Sequence, residues 1–401
     1  MSTMGPEGGA GGAGVVGGAG GAGGAGGAGG AGGAGGAGGA GGAGYGVYSS
    51  PMVADALIKQ RDGIVGNWLG QTLNPAQRNL DNADNLWAWE PWVRAAVLDF
   101  DLLSHLHFTR HRETFSYRDH GQTVSKTSNR RSVTVWHFHV TSSANNPAPR
   151  ATSSRVATII RPTPAVFRRQ LDFLDQYSDL REDRASEVVC ELGPQYAFWS
   201  SVVNLHPDRT KKTIELLDAA LRLANFVEMR IKHALACRRP NELSSQVQPI
   251  ILTPGHGTFP SGHSTENHMI ARILWELRGR EPVMGEQLMR EAARIAVNRT
   301  VAGVHFPVDT AVGQVLGLTL GRYFIQRATG GAQQFNAWRF DGERYPGTQD
   351  FDFHDFYDSA TALEQLNPAI DPPYVDRIAS QRPEVSPVLK WLWDEAAKEW
   401  A

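Results

Sequence analysis

The stretch from Lys211 to Ala236 limits the fold more than any other, because Ile214, Leu217, Leu221, Ala224, Val227 and Ile231 recur there at helical intervals. At 3.6 residues per turn these side chains form one apolar stripe, and a stripe that long has to be covered by other elements. Pro51 to Asn67, Leu80 to Leu106 (with Trp87, Trp89 and Trp92), Phe167 to Tyr177 and Ala185 to Trp199 also read as helices. So do Glu286 to Ala302, Pro307 to Gln326 and Val388 to Trp400. Between Thr114 and Ile160 the chain turns to β-branched residues, Ser, Asn and Pro. Ser132 to Thr141 alternates as a strand does, and a hairpin fits there. The expected fold class is mainly α, a helical bundle with a small β insertion and a site between helices.

Composition divides the chain. Residues 8 to 44 are almost wholly Gly and Ala. Such a tract buries too little surface to offset backbone entropy, so residues 1–44 are expected to be a disordered Gly/Ala-rich tail. Four units are expected: this tail, an N-terminal helical region with the β insertion over 45–205, a catalytic helical core over 206–330, and a C-terminal extension over 331–401 that packs on the core. The tail has no chemistry of its own but leaves homo-oligomeric assembly open.

Lys plus Arg number 39 against 41 Asp plus Glu, a net charge of -2. That balance gives no reason to expect nucleic acid or an anionic membrane as partner. No run approaches the ~20 apolar residues that a membrane span needs. Val308 to Phe324, the most apolar candidate, is interrupted by Asp309, Gln314 and Arg322. The N-terminus has neither a basic start nor an apolar run, so a soluble, cytoplasmic protein is expected. Two cysteines, Cys190 and Cys237, make no disulfide framework. Arg238 and Arg239 could lower the Cys237 pKa, although a buried bystander suits that position better.

Three segments carry the residues of a reaction site. Lys232 is followed by Arg239-Pro240; Pro260-Ser261-Gly262-His263 leads into a helix; and Arg299 is followed by His305 and Asp309. Alone, each has an ordinary reading as a basic helix end, a Pro/Gly turn, or a buried His with an acidic partner. Together they supply what encloses a tetrahedral oxyanion: the point charge of Lys232, the planar forks of Arg239 and Arg299, the Ser261 hydroxyl and the Gly262 N–H. His305 would face the central atom with Asp309 fixing its tautomer. His263 would sit on the opposite side as acid or base, an arrangement suited to in-line displacement. Ser264 or Thr265 is expected to cap the helix after the loop.

Lys-x6-Arg-Pro, Pro-Ser-Gly-His and Arg-x5-His-x3-Asp resemble the three-part signature of the superfamily uniting type 2 phosphatidic acid phosphatases, bacterial class A acid phosphatases and vanadium-dependent haloperoxidases. All ten signature positions are occupied in order. Departures are slight: Asn298 stands where the family often has Ser, and Arg238 duplicates the charge of Arg239. The resemblance implies a helical bundle of the haloperoxidase/acid phosphatase type. It also implies that His305 either attacks phosphorus or coordinates vanadate as the sole metal ligand, with His263 as acid–base and Asp309 as orienting carboxylate. The haloperoxidase branch is the expected one, with vanadate as cofactor and phosphate as its isosteric occupant. Hydrogen peroxide, halide and an organic acceptor would then be the small-molecule partners. The absence of spans and leader favours that branch, as does His256, at a loop position where such sequences often carry His near the site of halide oxidation. The alternatives are a soluble phosphatase that hydrolyses phosphate esters through a phosphohistidine, and a non-catalytic phosphate-binding or scaffold protein.

Histidines also cluster outside the signature. His105, His107 and His111 fall close together, and His137 and His139 would share one face of a strand. No Cys, Asp or Glu lies near them at metal spacing, so surface or packing roles are expected. Asp350, Asp352 and Asp355 could bind a cation, but a solvated loop pinned by its aromatic rings is the better reading.

Overall fold

The computed structural model describes residues 51–67, 83–119, 122–143, 146–331, 335–357 and 373–401. The Gly/Ala tract lies outside the described residues. Helix α1 spans Pro51–Val65 and α2 Pro91–Ser104, and a short 3-10 turn, Ala83–Ala88, precedes α2. Three strands follow, β1 (Leu106–Asp119), β2 (Gln122–Ser143) and β3 (Asn146–Ile160). Then come α3 (Pro164–Ser178), α4 (Arg181–Cys190), α5 (Tyr196–Val203), α6 (Lys211–Leu235), α7 (Gly262–Leu277), α8 (Pro282–Val301) and α9 (Pro307–Thr329). Strands β4 (Phe335–Asp341) and β5 (Val375–Ser380) and helix α10 (Pro387–Lys398) complete the chain.

The expected mainly α class is corrected by the sheet. Among the described residues five strands pair in the order β1-β2-β3-β4-β5, antiparallel except where β3 meets β4 in parallel, so the architecture is a helix-rich α/β mix. Two strands come from the extension that read as irregular. In β4, Phe335, Ala337, Trp338, Phe340 and Asp341 are buried, so the strand packs on both faces and lacks the polar/apolar alternation that would reveal it. Its register on β3, Ala157 opposite Trp338 and Ile159 opposite Phe340, is set by pairing across the whole helical core. The long helix read over Leu80 to Leu106 also breaks, into the 3-10 turn and α2, with Pro91 in the first turn of α2. The one read over Ala185 to Trp199 divides into α4 and α5 around Leu192-Gly193-Pro194.

At the centre, α7 packs against α6, α8 and α9. Its residues from Gly262 to Trp275 are all buried, and α9 is buried nearly all round. Three glycines one turn apart on α9 let these helices touch. A Cβ at Gly317 would overlap the Thr265 carbonyl oxygen, and one at Gly321 would lie 3.0 Å from Cβ of Arg272. Ser264 Oγ donates to the Thr310 carbonyl at 2.7 Å across the same seam. The sheet covers the other side, with Tyr323 against Phe335 (ring centroids 6.3 Å apart) and Phe259 against Phe340 (6.2 Å). Helix α10 lies on α6, and Glu399 accepts from the Lys212 and Thr213 N–H groups at 2.7 and 2.8 Å. That carboxylate serves the exposed donors at the N-terminus of α6, where Thr210 makes no side-chain cap.

Gly317→Ala is expected to force α7 and α9 apart and to cost about 1–3 kcal/mol. Chemical unfolding of the variant beside the parent checks this.

Candidate active site

Lys232 sits in the last turn of α6, which ends in a left-handed residue, Ala236. The chain then runs through Cys237 and Arg238 to Arg239, whose Pro240 opens a 3-10 turn. Ser261 caps α7, and its hydroxyl accepts from the Ser264 N–H at 3.4 Å. This corrects the expected capping by Ser264 or Thr265: the helix begins earlier, at Gly262, because Ser261 is extended and its Oγ faces the first turn. Arg299 lies in the last turn of α8, and Gly303, at φ +81°, turns the chain towards His305 at the head of α9. The three segments thus meet where α6 and α8 end and α7 and α9 begin. Two helix N-termini add partial positive charge there.

Lys232, Arg239, Ser261, His263, Arg299, His305 and Asp309 are all buried, while His256 is half-buried. Gly262 is buried against α6: a Cβ there would lie 2.7 Å from a Glu228 carboxylate oxygen, so no side chain fits. Arg239 donates through Nε to the His256 carbonyl (3.0 Å), and through Nη1 to the Val304 carbonyl (2.8 Å) and His305 Nε2 (3.0 Å). Nη2 reaches His256 Nδ1 at 3.2 Å, so the loop histidine stands against the site. Lys232 Nζ donates to the Gly257 carbonyl at 3.2 Å.

These contacts favour one tautomer of the His305 ring. A guanidinium only donates, so Nε2 of His305 accepts and carries a lone pair. Nδ1 holds the proton and lies 3.1 Å from both Asp309 Oδ2 and Thr258 Oγ1. Asp309 Oδ2 also accepts from the Phe306 N–H at 2.9 Å and from the Thr258 hydroxyl in a short contact. One carboxylate therefore caps α9 and orients the imidazole. On the other side, His263 Nε2–H donates to the Glu191 carbonyl at 2.9 Å.

Glu191 and Thr258 lie outside the signature and carried no sequence signal. Glu191 pairs with Arg299 Nη2 at 2.5 Å and accepts from Asn298 Nδ2 at 2.7 Å, so one residue positions Arg299 and His263 together. Asn298, the departure from the family pattern, also accepts from Arg184 Nη1 at 2.9 Å. Arg184 lines a cleft of about 330 Å³ with Arg290, Arg294, Val297, Phe351 and Phe353.

The other candidates stay apart. Burial pushes the Cys237 thiol up to about 12, which makes it an inert neighbour rather than an activated one. Asp350 and Asp355 accept from the hydroxyls of Tyr177 and Tyr374, both at 2.8 Å, and Asp352 caps the turn at His354. Aromatic residues do pin that loop. His105 ends α2 and stacks on His137, whereas His107 and His111 lie on β1.

Comparison with known proteins agrees with this geometry. Residues 216–329 match the PAP2 superfamily, so this chain carries a PAP2 superfamily domain. Decaprenylphosphoryl-5-phosphoribose phosphatase from two strains of Mycobacterium tuberculosis, CDC 1551/Oshkosh and ATCC 25618/H37Rv, is 32% identical over 113 residues. The matched stretch is 28% of this chain and 58% of each relative, so the chain spans less than two thirds of the curated relatives' length. No helix among the described residues is long and apolar enough to cross a membrane.

Burial raises the Glu191 carboxyl to about 7, with the Arg299 guanidinium opposing the shift. An acid with a raised folded pKa binds more protons when folded, so its contribution to stability is present at low pH and lost as pH rises. Between pH 4.5 and about 7 the parent protein is expected to lose stability relative to Glu191→Gln, by on the order of 3 kcal/mol. Unfolding midpoints of both proteins across that range check the sign.

Proposed function

We propose that this protein is a phosphatase that hydrolyses phosphate monoesters through a phosphohistidine at His305. The observation that carries the reading is the tautomer. Arg239 faces Nε2 at 3.0 Å and Asp309 holds Nδ1 at 3.1 Å, so the lone pair points at the Arg239 guanidinium. The phosphatase relatives favour this chemistry over the haloperoxidase branch.

The phosphoryl group enters between Arg239 and His305, and its oxygens take over the donation that Arg239 now makes to Nε2. Lys232, Arg239, Arg299, the Ser261 hydroxyl and the Gly262 N–H neutralise charge on the equatorial oxygens in a buried setting, where such contacts are strong. His305 Nε2 attacks phosphorus. The N–P bond forms as the ester P–O bond breaks, and the departing oxygen takes a proton from His263. Because the Glu191 carbonyl holds Nε2–H of His263, that proton leaves from Nδ1. Water then attacks phosphorus and gives a proton back to His263 as the N–P bond breaks, releasing inorganic phosphate. Decaprenylphosphoryl-5-phosphoribose is the first to test beside a simple aryl phosphate.

A second reading, vanadate-dependent halide oxidation, is favoured by one observation: His256 Nδ1 lies 3.2 Å from Arg239, on the rim of the site. The buried donor set that suits phosphate suits vanadate equally, since the two oxyanions share shape and charge. When bound, vanadate would supply the oxidation of halide by hydrogen peroxide, with Lys232, Arg239, Arg299, Ser261 and Gly262 holding its oxygens and His305 its metal.

Both activities are measured on one metal-free preparation, with and without orthovanadate. Hydrolysis that vanadate inhibits, an acid-labile phosphoenzyme, and loss of both in His305→Ala by at least about 10³-fold are expected. Bromination that appears only with vanadate, without hydrolysis, would replace this reading with the second. Silence in both assays would leave a phosphate-binding protein.

A further inference from the structure

On the sheet, His137 and His139 of β2 do share a face, and both are buried. The acid missing near them in sequence comes from the far end of the chain. Glu384, in the segment between β5 and α10, lies with Oε2 2.5 Å from His137 Nε2 and Oε1 2.8 Å from His139 Nδ1. The potential ligand atoms of the three residues lie within 4.8 Å of one another. We propose that His137, His139 and Glu384 form a binding site for a divalent transition metal, Zn²⁺ foremost, that fastens the C-terminal extension to the sheet and to α9.

The groups behind these ligands support the assignment. Each imidazole has its second nitrogen on a hydroxyl: His137 Nδ1 lies 2.8 Å from Tyr323 Oη, and His139 Nε2 lies 2.7 Å from Ser154 Oγ. Metal-binding histidines characteristically hold a second partner of this kind, which sets ring orientation and tautomer. A hydroxyl donates or accepts as required. With no metal, both rings point N–H at the carboxylate and the hydroxyls donate to their far nitrogens. With metal, the protons move to the far nitrogens, the hydroxyls accept, and two lone pairs face the ion without net proton release.

The three donors come from rigid surroundings. Tyr323 is on α9 and Ser154 on β3, while Arg327 Nη1 donates to the Glu384 carbonyl at 2.9 Å and holds that segment in place. The Arg327 charge is met by Asp101 at 2.7 Å. Two imidazoles and a carboxylate are a common zinc donor set, with ligand bonds of about 2.0–2.2 Å. Ligand atoms around a tetrahedral ion then stand about 3.3 Å apart, so the Glu384 side chain has to withdraw by less than about 1 Å. It is 41% exposed and has room to do so, and water on that side completes the coordination.

The test uses the untagged full-length chain, stripped with a chelator, equilibrated with Zn²⁺ and passed through gel filtration. About one retained zinc per chain is expected, with a visible ligand-field spectrum after replacement by Co²⁺. Glu384→Gln keeps an amide that can hydrogen-bond both imidazoles, so it leaves the fold supported while weakening zinc by at least tenfold. His139→Gln should do the same, whereas His305→Ala should retain the metal and so exclude binding at the catalytic histidines. A parent protein that holds no zinc, or zinc undiminished in Glu384→Gln and His139→Gln, would overturn the proposal.

Discussion

The contact between α7 and α9 is the constraint on which the rest of the structure depends. Ser261, Gly262 and His263 open one of these helices, and His305 and Asp309 lie at the head of the other. Their separation is therefore set by how closely two backbones approach, and the glycines at 313, 317 and 321 allow an approach that any side chain would block. The Ser261 N–H donates to the Asp309 carbonyl at 2.9 Å, tying the two helix starts directly. Hydrophobic packing supplies the bulk of the stability here, but these small residues set the register.

Electrostatics then decides how such a site is held together. Three cations in a buried cluster repel one another and lose hydration. The protein offsets this with backbone carbonyls on Lys232 and Arg239 and with the Glu191 carboxylate on Arg299. Glu191 is thus a resident counter-ion whose own pKa is raised by burial, and its carbonyl orients His263 from the same backbone unit. Charge balance and the placement of His263 both depend on one residue, the C-cap of α4.

Much of the site was legible because its ten signature residues lie at fixed intervals around helix ends, where spacing translates directly into position. The helices that carry them were legible for the same reason, as the stripe on α6 shows. What escaped was whatever depends on tertiary pairing. Nothing local to Glu191 distinguishes it from a surface acid, and Thr258 reads as an ordinary loop residue. The sheet was half seen: β2 alternates, but β4 is buried on both faces and β5 is short, so neither has a period to detect. His137 and His139 were placed on one face correctly, yet their acidic neighbour approaches from the opposite end of the chain. The choice between phosphate and halide chemistry was not legible, since both branches share every signature residue.

The parallel pairing of β3 with β4 has a consequence for the order of assembly. During synthesis, β1, β2 and β3 emerge first and can zip together by local hairpins. The free edge of β3 then waits until the whole helical core has been made before β4 covers it. An unpaired edge rich in β-branched residues is a template for wrong partners. Pairing so distant in sequence also forms slowly, because loop closure precedes its reward. In a growing chain, the core helices can therefore gather on the ribosome against an unfinished sheet, and β4 and β5 act as a latch that closes the domain only after those helices have been made.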